Sequence, residues 1–361
     1  ARRCRQKSYR KPDRNIMAEI ELKMVLALLL IALMLLSCAA CSSSGQADGP
    51  TAGTAQAAAQ TGDSVARTPQ DIHVATGTST GVGFITVSTV GSLLSKAYPE
   101  YTIVPEITTG GAENINMLLS GDAQLASCML DDALACNRME RKWEGNAQAK
   151  DALYYVTNSY LTSITQFSPK STGARELPDL KGKRVGVASG TMANYYWKYL
   201  LQAYGLEESD FAKVEVMGIK DLLIAIQDGT LDYGVHVAST PNTSIQDTAL
   251  SVGLNILTMS DEIIERMTEL NPCFQKYTIT MDKYNSDFDA NTVGVHNVYV
   301  CTADADEQMI YDLVKTIDEN NDTLQAAHPQ AGEVGQKVME NQLLPFHPGA
   351  ERYYKEIGLA K

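Results

Sequence analysis

No apolar run in this chain is long enough to cross a bilayer. The longest, Met24 to Leu36, has 13 residues, where a spanning helix needs roughly 20. Cysteines are few: seven in 361 residues, and the four beyond the N-terminal region, Cys128, Cys136, Cys273 and Cys301, are scattered with no Cys-x-x-Cys and no spacing that would hold zinc or run a redox cycle. The five histidines, His73, His236, His296, His328 and His347, have no metal-ligand spacing either. Neither a metal nor a cofactor is expected. Positive charge is in deficit, with 30 Lys+Arg against 43 Asp+Glu and a formal net charge of −13. Many of the basic residues sit near the N-terminus, so the remainder is more acidic still. Such a surface is repelled by phosphate backbones, which argues against a nucleic-acid partner. No repeat of fixed short period is present.

What is present first is an export grammar. Lys23 precedes the apolar stretch, which is the right length for a removable signal core. Ser37-Cys38-Ala39-Ala40-Cys41 follows, and a lipid-attachment cysteine is expected there. Cys38, with Leu35 three positions before it and Ser37 directly before it, is favoured over Cys41. An ordinary secretory signal with incidental cysteines is the alternative. Residues 1–16 read as sequence upstream of a start near Met17 or Met24. The expected location is extracytoplasmic, on the outer face of the cytoplasmic membrane, with the lipid as the only membrane contact. Residues 38–69 are rich in Ala, Gly, Ser, Gln and Thr and cannot repay the entropy of folding, so they read as a tether.

Beyond the tether, the chain is long enough for two domains of roughly 100–200 residues each. Strand-like and helix-like segments alternate in two blocks. The first runs Ile72–Ala75, Phe84–Lys96, Tyr101–Ile107, Glu113–Ser120 and Ala123–Met129; the second runs Arg184–Ala188, Thr191–Tyr204, Val214–Met217, Ile219–Gln227 and Tyr233–Val237. This alternation predicts an α/β fold with parallel sheets and helical crossovers. A strand at Val293–Thr302 and one long amphipathic helix over Asp304–Ala327 follow, then prolines 329, 345 and 348 punctuate the C-terminal helices. Cys273 and Cys301 would pair in an oxidising exterior; buried free thiols are the alternative.

Four loops stand after a predicted strand and before a predicted helix: Ala75–Gly81, Thr108–Asn114, Ser189–Thr191 and Ala238–Asn242. Such turns aim backbone N–H groups, a helix-end dipole and hydroxyls at one point, which suits a carboxylate or another anion. Open α/β sheets bind ligands at the carboxyl ends of their strands, so loops from both blocks can face one cleft. Helix capping alone would explain any single loop. The candidate ligand-binding residues are Gly77, Thr78, Ser79, Thr80, Thr109, Gly110, Gly111, Asn114, Asp131, Ser189, Gly190, Thr191, Thr240 and Asn242. Nucleotide motifs fail on spacing, since no Lys follows in P-loop register and Thr86 stands where a dinucleotide fingerprint needs a third Gly.

The same first loop matches Gly-x-Ser-x-Gly through Gly77, Ser79 and Gly81, the nucleophile elbow of serine hydrolases, and Asp232 and His296 lie downstream. The elbow needs an earlier strand and loop to complete an oxyanion hole, and only a tether and one strand precede Ser79. No catalysis is expected. Lys181, Lys183 and Arg184 could neutralise an anion or simply be solvated. Tyr195, Tyr196 and Trp197 could stack on a ligand or pack against the sheet, and His347, between prolines, is expected to fix a C-terminal turn.

Taken together, Ala75-Thr76-Gly77, Thr109-Gly110-Gly111 with Glu113-Asn114, Leu180–Val185, Thr240-Pro241-Asn242 and Leu344–Ala350 with Tyr353-Tyr354 resemble the TAXI family, the extracytoplasmic solute receptors of TRAP transporters. The likeness covers about residues 70 to 361. It implies a two-lobed type II periplasmic-binding fold, each lobe a mainly parallel sheet flanked by helices, with the ligand cleft between the lobes. The lobes would comprise residues 70–165, then 166–270, then a return over 271–361. It further implies a monomer that captures a small anionic solute, a carboxylate such as glutamate or a related organic acid, and delivers it to TRAP permease membrane subunits. An ABC-type importer subunit or a sensor input would use the same fold. Two departures stand out: Gly83 occupies a position where an aromatic residue is usual, and Met129-Leu130-Asp131 replaces a Gln-Ser-Asp pattern.

Overall fold

A computed structural model describes residues 66–79, 81–340 and 342–361. The export segment, Cys38, Cys41, the tether up to residue 65, and Thr80 lie outside the described residues. The first described strand begins close to where the composition changes. Strand β1 (Gln70–Gly77) leads to helix α1 (Val82–Ala97), β2 (Tyr101–Ile107), α2 (Gly111–Ser120) and β3 (Leu125–Met129). β1 lies between β2 and β3 and runs parallel to both, as helical crossovers require. α1 is held by one stripe, Val87, Val90 and Leu94, buried against the strands.

Helix α3 (Leu130–Asn137) follows β3 without a loop and leads to β4, a 17-residue strand over Leu153–Pro169. β5 (Arg184–Ala188) then runs into a π-helical turn at Met192–Tyr196, continued as α4 (Trp197–Tyr204). β6 (Lys213–Met217), α5 (Ile219–Gln227) and β7 (Tyr233–Ser239) complete a second parallel unit in which β5 pairs with both β6 and β7. After it come α6 (Thr243–Val252), β8 (Leu254–Ile256), α7 (Asp261–Leu270), β9 (Gln275–Ile279), β10 (Ala290–Thr302), α8 (Glu307–Glu319), α9 (Asn321–Ala327) and α10 (Pro348–Glu356).

Two long strands join the units. β4 pairs through Leu153–Ser163 with β10, and from Thr162 to Phe167 with β7. β10 pairs through Asn297–Val300 with β3, while its first residues, Ala290–Gly294, pair with β9. Each strand therefore changes partners midway, and the two cross from one α/β half to the other side by side. The ladder between them is irregular at His296/Val298 and Tyr299/Val300. This is the two-lobed type II periplasmic-binding arrangement that the sequence predicts. It differs in that the halves do not carry separate parallel sheets: one path, β2-β1-β3-β10-β4-β7-β5-β6, runs through both, with antiparallel pairing wherever β4 or β10 takes part. The expected return at residue 271 precedes the crossing of β10, which occurs near residues 294–297.

Other expectations change for physical reasons. The helix expected over 304–327 breaks at Asn320, whose side chain donates to the Thr316 carbonyl and leaves the helical conformation. The Leu344–Ala350 motif is an edge cover: Tyr155 N–H donates to Pro345 O (2.8 Å) and His347 N–H to Tyr155 O (2.9 Å), closing the open edge of β4. The His347 ring then accepts from Gly349 N–H and caps α10, the turn-fixing role read from its flanking prolines. Cys128, Cys136, Cys273 and Cys301 are all free and buried, which settles the pairing alternative against a Cys273–Cys301 disulfide.

Candidate solute-binding cleft

A cleft of about 390 Å³ opens where the carboxyl ends of β1, β2, β3 and β5 meet the crossing strands. The first wall is the β1–α1 loop. Gly77 takes φ +106°, which an L side chain rarely adopts, and Gly81 N–H closes the turn on Thr78 O at 2.9 Å. α1 then begins with no side-chain cap and no acidic residue in its first turn. Its first N–H groups and dipole therefore stay available to an anion.

The β2–α2 loop is tied to the first by Thr108 N–H on Gly77 O, 2.9 Å. Gly110 has φ +128°, and α2 also lacks a side-chain cap. Glu113 folds back onto its own loop, accepting from Thr109 N–H (2.7 Å) and Oγ1 (2.5 Å), and these bonds hold its carboxyl below the ordinary range. Asn114 is the brace. Its Nδ2 donates to Ser127 O at 2.6 Å and its Oδ1 accepts from Thr108 Oγ1, fixing the loop to β3.

The opposite wall comes from the second half. Gly190 (φ +92°), Thr191, Asn194 and Tyr195 follow β5 and line the same cleft. Tyr160 of β4 and Asn297 of β10 contribute from the crossing strands, and Lys142, Trp143 and Asp132 come from α3 and the turn after it. Trp143 Nε1 donates to Asn116 at 3.0 Å. Lys142 is exposed and makes no hydrogen bond or ion pair among the described residues. Asp132 pairs with Arg141 Nη1 at 2.8 Å, while burial, reinforced by Asp131, pushes its carboxyl up to about 6.

Of the residues singled out in the sequence, Gly77, Thr78, Thr109, Gly110, Gly111, Asn114, Gly190 and Thr191 line this cleft. Thr80 lies outside the described residues. Ser79 and Ser189 are exposed on their loops and are not among the lining residues. Asp131 is buried and engaged by Arg141, Tyr196 and Asn271 instead of facing the cleft. The fourth loop does not reach the cleft. Thr240 shares a hydrogen bond with Ser163 (2.7 Å), and Asn242 caps α6 by accepting from Ile245 N–H.

The other candidates resolve similarly. Lys181 pairs with Asp210, and Arg184 with Asp232, at the start of β5 and so at the far edge of the sheet from the cleft. His296 Nε2 meets Gln275 at 2.7 Å. Asp232 and His296 thus have other partners and neither lines the cleft, so the Ser79 hydrolase triad is not assembled. Tyr196 and Trp197 are buried, and Tyr195 alone of that trio lines the cleft. Lys142, Trp143, Tyr160, Asn194, Asn297 and Asp132 were not singled out from the sequence. Arg141-Lys142-Trp143, a basic pair beside a tryptophan in an acidic chain, was the legible signal among them.

The NMT1-like family profile matches residues 74–358, from β1 past the end of α10. The chain belongs to the NMT1-like family. The NMT1-like segment contains every residue of the cleft. Among solved structures, similarity is found to the periplasmic aliphatic sulphonate binding protein SsuA of Escherichia coli, at 16% identity over 73% of this chain and 75% of that one, TM-score 0.46. The alkanesulfonate-binding protein SsuA of Xanthomonas axonopodis pv. citri, bound to MOPS, matches at 15% over 80% and 85%, TM-score 0.43. The methionine binding protein MetQ matches at 15% over 75% and 100%, TM-score 0.45.

Proposed function

We propose that this NMT1-like chain is an extracytoplasmic solute-binding receptor, tethered to the outer face of the membrane, that captures a small anionic solute and hands it to a membrane permease. One observation carries the reading. Three glycine-and-hydroxyl loops, two from the first half and one from the second, converge on a single cleft with Lys142, which has no hydrogen bond or ion pair among the described residues. The halves correspond to about residues 70–165 with the return after β10 crosses near residue 294, and to the segment from about 166 up to that crossing, and solute would be held between them by a hinge motion in β4 and β10.

The solute class we favour is a carboxylate such as glutamate or a related organic acid. Its anionic group would meet the uncapped start of α1 and the Lys142 ammonium, with Thr78, Thr109 and Thr191 hydroxyls around it. A net charge of −13 does not oppose this, because fixed dipoles at contact distance outweigh charges screened beyond about 10 Å. The TAXI resemblance makes a TRAP permease the partner we favour, acting with a monomeric receptor. Delivery to an ATP-driven importer, or service as a sensor input, is the competing outcome.

Titration calorimetry of the exported chain against dicarboxylates, amino acids and alkanesulfonates tests the solute class; silence across the panel would defeat the receptor reading. Uptake in proteoliposomes with the neighbouring permease, driven in turn by an ion gradient and by ATP, separates the two transporter classes.

A further inference from the structure

Beside the cleft, one buried carboxylate takes hydrogen bonds from both halves of the molecule. Asp131, 4% exposed, stands at the start of α3 in the first half. Its Oδ2 accepts from Arg141 Nη2 at 2.9 Å, from Tyr196 Oη at 2.9 Å and from Asn271 Nδ2 at 3.3 Å. Arg141 belongs to the same half as Asp131. Tyr196 lies on the π-helical turn after β5, and Asn271 directly follows α7, both in the second half. The Asp131 Oδ1 atom is buried without a hydrogen-bond partner among the described residues, and Arg141, Tyr196 and Asn271 all donate to Oδ2.

A second contact bridges the same gap. The Arg141 guanidinium lies 4.2 Å from the ring centroid of Tyr195, the residue next to Tyr196, and Nη1 of the same group holds Asp132. A π-turn carries one residue more per hydrogen-bonded ring than an α-helix and recurs at functional sites. Here it presents Tyr195 to the cleft and Tyr196 to Asp131.

We infer that Asp131, Arg141, Tyr195, Tyr196 and Asn271 form a clasp between the halves, and that Asp131 is a positioning residue setting how readily the cleft opens. The clasp reports on the cleft because Tyr195 belongs to both and Arg141 also holds Asp132, which lines the cleft. Buried ion pairs return about as much as their desolvation costs, so such a clasp does not lock the molecule shut. It leaves the open and closed arrangements close in free energy, and a solute touching Tyr195 and Asp132 tips the balance.

The inference rests on the receptor reading for its solute arm only, and its first test needs no solute. Small-angle scattering of the ligand-free exported chain is compared among wild type, Tyr196→Phe, Asn271→Ala, the double variant and a control. The control is Tyr353→Phe, which removes the 2.7 Å bond to Asp318 between elements of the first half. The clasp predicts a larger radius of gyration in the Tyr196→Phe and Asn271→Ala variants, largest in the double variant, and none in the control. A wild-type radius in the folded double variant overturns it, as does an equal expansion in the control.

With L-glutamate as the probe solute, or whichever panel member the wild type binds, dissociation from Tyr196→Phe should be about tenfold faster with association little changed, as expected for one lost bond to a charged group. Unchanged dissociation in the expanded variant would overturn the coupling. Failure of every solute to bind the wild type would defeat the receptor reading and leave the scattering result standing.

Discussion

A Cβ placed on Gly83 would stand 2.8 Å from the carbonyl oxygen of Thr76. The first turn of α1 therefore rests directly on the end of β1, and the aromatic residue usual at this position in TAXI-like sequences cannot be accommodated without moving one of them. Gly83→Ala should displace the start of α1 away from the cleft. The expected result is a stability loss of about 1–3 kcal/mol, typical of overpacking, with at least about tenfold weaker solute binding. Urea denaturation and calorimetry on the same preparation check both parts.

Lys142 separates binding from folding more cleanly. It lines the cleft, is exposed, and has no hydrogen bond or ion pair among the described residues. Lys142→Met should leave stability within about 0.5 kcal/mol of wild type, as surface substitutions do. Affinity for an anionic solute should fall about ten- to hundredfold, the worth of one charge-assisted contact. Equal affinity would remove Lys142 from the binding set.

The pH dependence should carry the mark of Asp132. Its carboxyl titrates at about 6 in the folded chain, raised chiefly by burial and then by Asp131. A carboxyl whose folded value lies above its unfolded value of about 4 destabilises the fold when ionised, fully so above about 6, and this cost disappears as pH falls towards 4. Asp132→Asn removes the cost. The stability of the variant relative to wild type should therefore become less favourable between pH 7 and pH 4, measured by urea denaturation at each pH. A flat or rising difference would contradict the assignment.

A structural counterpart lies at the beginning of β1. Arg67 meets Asp312 through two bonds, Nε–Oδ2 at 2.7 Å and Nη2–Oδ1 at 3.1 Å, and stacks 4.3 Å from the Tyr98 ring. The Asp312 side chain is only 1% exposed. Arg67→Ala strands that carboxylate with Tyr101 and Gln308 as remaining donors, and should cost about 3 kcal/mol. The loss should appear in denaturation while solute affinity stays at the wild-type value, since Arg67 does not line the cleft.

Much of the fold was written in local pattern. Tyr101–Ile107, Arg184–Ala188 and Ile219–Gln227 occur where the pattern predicts: the first two are short β-prone runs, the second of them buried from Val185 to Ala188, and the helix buries Leu222, Leu223 and Ile226 on one face. β4 escaped that reading. It is covered on both faces and carries Thr157, Asn158, Ser159, Thr162, Ser163, Thr165, Gln166 and Ser168, all buried, so no apolar alternation marks it. Some of its polar atoms find partners on neighbouring strands only once the sheet is assembled, as when Thr162 Oγ1 donates to Val295 O at 3.1 Å.

Sequence alone determined the two α/β blocks, the absence of metal-ligand and nucleotide spacings, and the glycine-and-hydroxyl loops, since these follow from period, spacing and local backbone chemistry. Tertiary structure decided which loops share a cleft. The loop ending at Asn242 turns aside to cap α6, while Lys142 and Trp143 arrive from the turn after α3. It also moved Asp131 from the solute to the joint between the halves, because a carboxylate's partners are chosen by what packs around it, and residues 196 and 271 are brought to it only by the folded chain.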